Sequence, residues 1–248
     1  MPKRFSARFN LSRLDFLTYA EEFEEFQIQR QDELKEKLAD AILTIQNKKV
    51  LFIGDSITSD NLGYRISVTK AANLQAVNGS LSSTDSQALL DSSLTLIKKE
   101  RPDIVSIMLG TNDSIYYSSL GKSKVTQDEY VSNMKKIVKC AKETGASVLL
   151  FEIPTVNEKA FSLSFNPKGK FQSNECIKGY NAALEELATE LGIKLIRHDW
   201  LSGEDTSVFF EPDGVHLSTE AHWHFSLNWI NEASKLTKKE IENENGKG

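Results

Sequence analysis

Net positive charge, cysteines and long apolar runs are all scarce in this chain. Lysine and arginine number 30 against 35 acids, for a net charge of −5. That balance argues against broad nucleic-acid binding, which runs on basic patches. No apolar run approaches the ~20 residues that a membrane-spanning helix needs. The two cysteines, Cys140 and Cys176, form no Cys-x-x-Cys pair and have no ligand-like histidine beside them. They are expected as buried thiols, which suits a reducing compartment. Neither a phosphate-cradling Gly-x-x-x-x-Gly-Lys-Ser/Thr nor a dinucleotide Gly-x-Gly-x-x-Gly occurs, so nucleotide readings lack support.

The basic N-terminus, Met1 to Phe9, has no apolar stretch of the kind a secretory signal carries. A solvated tail and a cytoplasmic protein are expected, with secretion through a leader trimmed from this sequence left open. The 248 residues fit one domain with an extension. Residues 1–48 read as a tail and helical extension, 49–236 as the domain, and 237–248 as a charged tail that frays.

Ser12 with Asp15 starts a helix over 13–47, with a break near Gln27–Gln31. Its apolar stripe includes Phe16, Tyr19, Leu34, Leu38, Ile42 and Ile45. Packing on the domain body is preferred over the alternative, a homodimer contact. Beyond Lys49 the pattern alternates. Apolar runs at 50–53, 74–77, 104–109, 147–153 and 193–196 read as buried parallel strands. Helices are expected at about 60–72, 84–99, 126–144, 174–191 and from beyond His216 to about Leu236. Five strands alternating with helices imply a parallel sheet covered on both faces. Ligands bind such sheets beyond the C-terminal strand ends.

Ser56, Gly79 and Asn112 follow the first three strands, so topology places them on one sheet edge. Ser56 stands two residues after Gly54, at a sharp strand exit. Alone it reads as a helix-capping serine. Asp213 and His216 stand three apart, close enough for the carboxylate to hold one ring nitrogen and free the other as a base. A serine hydroxyl needs such a base to become a nucleophile. Gly79 N–H, Ser56 N–H and the Asn112 amide are the candidate donors to a developing oxyanion. Each motif has a plain alternative as a turn or a cap, but those alternatives do not explain the coincidence. His198 adjoins the last strand and reads as structural, while His222 and His224 fall on the C-terminal helix.

Gly54-Asp55-Ser56-Ile57, Gly79, Gly110-Thr111-Asn112-Asp113 and Asp213-Gly214-Val215-His216 resemble the four blocks of the SGNH hydrolases, the GDSL esterase/lipase superfamily. The similarity spans about residues 49–232. It implies a three-layer α/β/α flavodoxin-like fold, no cofactor and no metal. It also implies Ser56 as nucleophile, His216 as base, Asp213 as its partner, and Ser56, Gly79 and Asn112 as the oxyanion hole. Two positions depart from the family pattern: Ser82 stands where a second glycine is common, and Ser59 to Leu62 replaces a glycine-containing loop. Both bear on substrate fit.

The connection 154–173 is long enough to be a lid or binding loop. Phe161, Phe165 and Phe209, with Asp55, are the cleft candidates for a small acyl ester, on a carbohydrate or another small alcohol. Filling core is the competing role for these aromatics. Acyl transfer, or lysophospholipase or thioesterase activity, is the alternative on the same fold. A metallophosphoesterase is disfavoured by only four histidines and no Asp-x-His before the first strand. A non-catalytic binding domain is disfavoured by the full set of catalytic residue types.

Overall fold

The computed structural model describes residues 28, 30–201 and 206–245. Five parallel strands form the central sheet: β1 (Lys49–Gly54), β2 (Gln75–Asn78), β3 (Ile104–Met108), β4 (Ser147–Phe151) and β5 (Leu195–Ile196). Their order across the sheet is β2-β1-β3-β4-β5, all parallel. This is the flavodoxin-like order, with the chain reversing direction beside β1 and β3. The eight helices named here are α1 (Ala39–Ile45), α2 (Ser56–Ser59), α3 (Tyr64–Ala71), α4 (Ser86–Glu100), α5 (Gln127–Glu143), α6 (Glu158–Phe165), α7 (Asn174–Glu190) and α8 (Thr219–Asn245).

The two-residue period of β1, β3 and β4 sorts their side chains to two cores; β2, expected as a buried strand, is instead an edge strand with Gln75, Ala76 and Asn78 exposed. Leu51, Ile53, Val105, Ile107 and Leu150 point to one face and meet Leu89, Ile97, Tyr130, Ile137 and Leu184. Val50, Phe52, Ile104, Met108, Leu149 and Phe151 point to the other and meet Ile45, Val68, Phe225 and Trp229. Both faces of β1, β3 and β4 are buried, which is why these strands read as nearly continuous apolar runs. Ser106 is the polar residue within β3, and its hydroxyl accepts from the buried Trp229 indole N–H at 2.9 Å.

Boundaries follow local chemistry. Thr126 and Glu129 form a reciprocal capping box at the start of α5. Ser173 caps α7 through the Cys176 N–H.

Several expectations shift. The helical stretch over residues 30–37 is interrupted at Leu38, not near Gln27–Gln31, where Gln31 is itself helical. Leu34, Ile42 and Ile45 are buried in the same core as Trp229. The expected helix start at Ser12, with Phe16 and Tyr19, lies outside the described residues. α8 does not stop at Leu236 but continues to Asn245, with Thr237 still buried, so the expected frayed tail is largely helix.

The connection 154–173 is not an open loop. It contains α6 and a short strand, Lys170–Phe171. That strand joins Tyr116–Tyr117 and Lys122–Ser123 in a separate three-stranded antiparallel arm. Among the described residues, no helix is long and apolar enough to cross a membrane.

Candidate active site

β1 ends at Gly54, and Asp55 turns the chain so that Ser56 opens the one-turn helix α2. Asp55 caps that turn, its Oδ1 accepting from the Ile57 N–H at 3.0 Å. Behind it, Arg65 ties the next residues down. Its Nε donates to the Thr58 carbonyl at 3.0 Å, and the Thr58 hydroxyl lies 3.1 Å from the Tyr64 hydroxyl. Burial lowers the Arg65 pKa, with the neighbouring Tyr64 and Asp60 charges opposing it.

The histidine arrives on a closed loop. Phe210 bridges to Leu217, and Glu211 N–H donates to His216 O at 2.8 Å. Asp213 Oδ1 accepts from the Val215 and His216 N–H groups, both at 3.0 Å. Its Oδ2 accepts from His216 Nδ1 at 2.7 Å. With that proton held, Nε2 accepts from the Ser56 hydroxyl at 2.8 Å. The loop is braced from outside: Asn157 N–H donates to Gly214 O at 2.8 Å.

Asn112 follows β3. Its Nδ2 donates to the Thr84 carbonyl at 2.8 Å, leaving a second amide hydrogen for a ligand. Both Asp113 oxygens accept from the Ser86 N–H, at 3.0 and 3.1 Å, and Asp85 caps the same helix through Ala88 N–H. Segment 84–86 and the Asn112 loop are thereby locked together, with negative charge at the N-terminus of α4.

Asp113 and Asp55 are buried, and each carboxyl is pushed up to about 6, chiefly by desolvation. For Asp55 the Ile57 N–H and Thr111 pull the other way. The Thr111 contacts fall outside hydrogen-bond geometry, so the second Asp55 oxygen has no bonded partner. His198 is enclosed and pushed down to about 4 by burial, with Glu152 O 3.1 Å from its Nε2 opposing. It is a core residue, as read from sequence.

Ser56, His216, Asp213 and Asn112 thus stand at the C-terminal edge of the sheet, and the first three are joined by hydrogen bonds. Other candidates are not placed as expected. The Gly79 N–H is taken: it donates to Phe52 O at 2.8 Å, one more rung of the β1–β2 ladder, and points into the sheet. Asp55 is 1% exposed and is an internal cap, not a cleft wall. Phe161 is 1% exposed and packs at a tilt against Phe165, ring centroids 4.8 Å apart, because α6 turns both toward the core. Phe165 and Phe209 are half-buried; Phe209 packs edge-on against Trp200 and His224.

Sequence reasoning missed Ser83. This exposed residue has a left-handed φ of 61° between the Leu81 N–H bond to Gly54 O and the Thr84 bond to Asn112. Only the neighbouring departure at Ser82 hinted that this loop is unusual. Among the described residues, no three His, Cys, Asp or Glu side chains cluster so as to hold a metal ion.

Solved structures share this architecture. A lipase/acylhydrolase from Enterococcus faecalis superposes with a TM-score of 0.64 at 17% identity, covering 76% of this chain and 96% of its own. A GDSL-like lipase from Bacteroides thetaiotaomicron gives 0.62 at 18%, covering 81% and 97%. A catalytic mutant of an acetylxylan esterase from Geobacillus stearothermophilus gives 0.58 at 19%, covering 76% and 94%. No curated protein matches the sequence. The model of the GDSL-like lipase/acylhydrolase family matches residues 52–224, and the chain belongs to that family.

Proposed function

We propose that the protein is a serine esterase that cleaves a short acyl group, acetyl in the first instance, from a sugar or other small alcohol. The observation that carries this reading is the unbroken relay from Asp213 through His216 to Ser56, with spacings of 2.7 and 2.8 Å. His216 Nε2 takes the Ser56 proton as the oxygen attacks the ester carbonyl. The resulting oxyanion is met by the Ser56 N–H, the second Asn112 amide hydrogen and a backbone N–H of the 82–83 segment, the last in place of Gly79. His216 returns the proton to the leaving alcohol. A water then attacks the acyl-enzyme by the same route, releasing the acid and restoring Ser56.

A short acyl group is favoured because Phe161, expected to line the cleft, is enclosed in the core, which leaves the cleft without one of its expected aromatic walls. A serine-directed phosphonate probe tests the nucleophile. The wild type is expected to label and Ser56→Ala to remain unlabelled; equal labelling overturns the assignment. A panel of acetyl, butyryl and longer esters tests the acyl side, and a maximum at long chains overturns it.

A further inference from the structure

The turn that carries Asn112 is held from two sides. On the inner side, Asn112 Nδ2 and the Asp113 carboxylate tie it to segment 84–86, through Thr84 O and the Ser86 N–H. On the outer side stands the three-stranded arm. There Tyr116, just past Ser114, pairs antiparallel with Phe171. One residue beyond that pairing, the chain brings Gln172 alongside the segment that leaves Asn112. Its Nε2 donates to Thr111 O at 3.1 Å and to the Ser114 hydroxyl at 2.8 Å, on either side of Asn112.

The bond to Thr111 O matters most for Asn112. That carbonyl belongs to the planar peptide unit joining Thr111 to Asn112, so holding its oxygen fixes the plane from which the Asn112 side chain hangs. Thr84 O places the amide nitrogen, but the direction of its second hydrogen follows that plane. Other bonds of the turn do not involve Gln172. The Ser114 N–H closes on Gly110 O at 3.1 Å, and the Val125 N–H holds Asp113 O at 3.2 Å. The Ser114 hydroxyl points its own hydrogen at the Gly110 and Thr111 carbonyls, at 3.1 and 3.2 Å.

Gln172 is poorly served in return. A carbonyl cannot donate, so the bond to Thr111 O fixes which end of the Gln172 amide faces the turn. The other end, Oε1, is buried and has no hydrogen-bond partner among the described residues. A buried acceptor left unpaired opposes folding. A methionine here would fill similar space without that cost, but it would bring no donors to the turn.

We propose that Gln172 is a positioning residue, which sets the Thr111–Asn112 peptide so that the free Asn112 amide hydrogen is aimed at the oxyanion. The consequence for catalysis rests on the esterase reading; the hold on the turn does not.

Gln172→Met tests this in two backgrounds. In the otherwise wild-type protein, kcat on a soluble aryl acetate is expected to fall about tenfold, short of the loss of a whole donor, with KM little changed. The thermal midpoint is expected to hold or rise, since the orphan acceptor is gone and Thr111 O keeps the Ser114 hydroxyl. In an Asn112→Ala background the same substitution is expected to leave kcat unchanged, because no amide remains to be aimed. An unchanged kcat in the first background, or an equal loss in both, overturns the proposal.

The turn is also read without substrate. The NMR order parameter of the Asn112 backbone N–H is expected to fall in Gln172→Met, and an unchanged value overturns the hold on the turn. Hydrolysis that survives Ser56→Ala overturns the esterase reading instead, and leaves the order parameter to judge the hold.

Discussion

His216 and Ser56 are 160 residues apart in sequence, and their side chains meet at 2.8 Å. The contact is possible because Ser56 leaves the middle of the sheet on β1, while the loop from Phe210 to Leu217 brings His216 to the same edge. Asp213 both aims the imidazole and fixes the loop, one oxygen for each task.

Asp213→Asn separates those tasks. Its amide oxygen can still accept from the Val215 and His216 N–H groups. Its NH₂ then faces His216 Nδ1 and forces the proton onto Nε2, where it opposes the Ser56 hydroxyl. Turnover of a soluble ester is expected to fall about 10⁴-fold, with the thermal midpoint close to that of the wild type. A loss below tenfold would remove Asp213 from the relay.

How the sequence relates to this site differs element by element. The inner strands were legible because both their faces are buried, so Val50 to Ile53 is apolar without interruption and Ile104 to Met108 is broken only by Ser106. Ser56, Asp213 and His216 could be grouped from the sequence because an activated serine needs those residue types, and the structure joins them by hydrogen bonds. Gly79 was misread because a backbone N–H leaves no mark in the sequence, and only the ladder bond to Phe52 O shows where it points. Of the two roles open to Phe161, cleft wall and core, the structure shows core: it shares one helix face with the half-buried Phe165, four residues on. The arm went unseen because its two-residue strands are too short to show a period.

Asn112 is expected to act in the transition state more than in binding. One amide hydrogen is anchored on Thr84 O, which leaves the other for the proposed oxyanion. Asn112→Ala is expected to lower kcat about 10²- to 10³-fold with little change in KM. Asn112→Asp should be worse than alanine, because a carboxylate there donates nothing and faces both the Thr84 carbonyl and the oxyanion. Steady-state kinetics on one soluble ester ranks the two; the reverse order argues against an oxyanion role.

Gly214 connects the His216 loop to α6. Its φ is +77°, and a Cβ there would stand 2.6 Å from both Asn157 O and Phe161 N. Those are backbone atoms and cannot swing aside, so alanine must push the loop off the segment that braces it. Gly214→Ala is expected to destabilise by about 1–3 kcal/mol and to lower kcat as His216 loses its aim. Gly145→Ala is the control: φ is +84°, but no atom lies within 4 Å of the added carbon. It should lower the thermal midpoint less and leave kcat unchanged. Equal effects on kcat would show that the brace does not position His216.

Asp55 and His198 set opposing pH dependences on stability. Burial raises the Asp55 carboxyl to about 6, so the folded state holds that proton where the unfolded chain has lost it. Its contribution is full below about 4 and is lost as pH rises through 6. Burial lowers His198 to about 4, so its contribution is full above about 6.5 and is lost as pH falls toward 4. In the wild type Asp113, also raised to about 6, adds a slope of the same sign as that of Asp55, and His198 offsets part of the sum. Asp55→Asn removes the Asp55 slope and also lifts a charge that helps raise Asp113. Relative to the wild type, the variant is therefore expected to gain on the order of 3 kcal/mol between pH 4 and pH 7. Urea unfolding midpoints at closely spaced pH values check this. Parallel curves for the two proteins would mean that Asp55 titrates in the folded protein as it does in the unfolded chain.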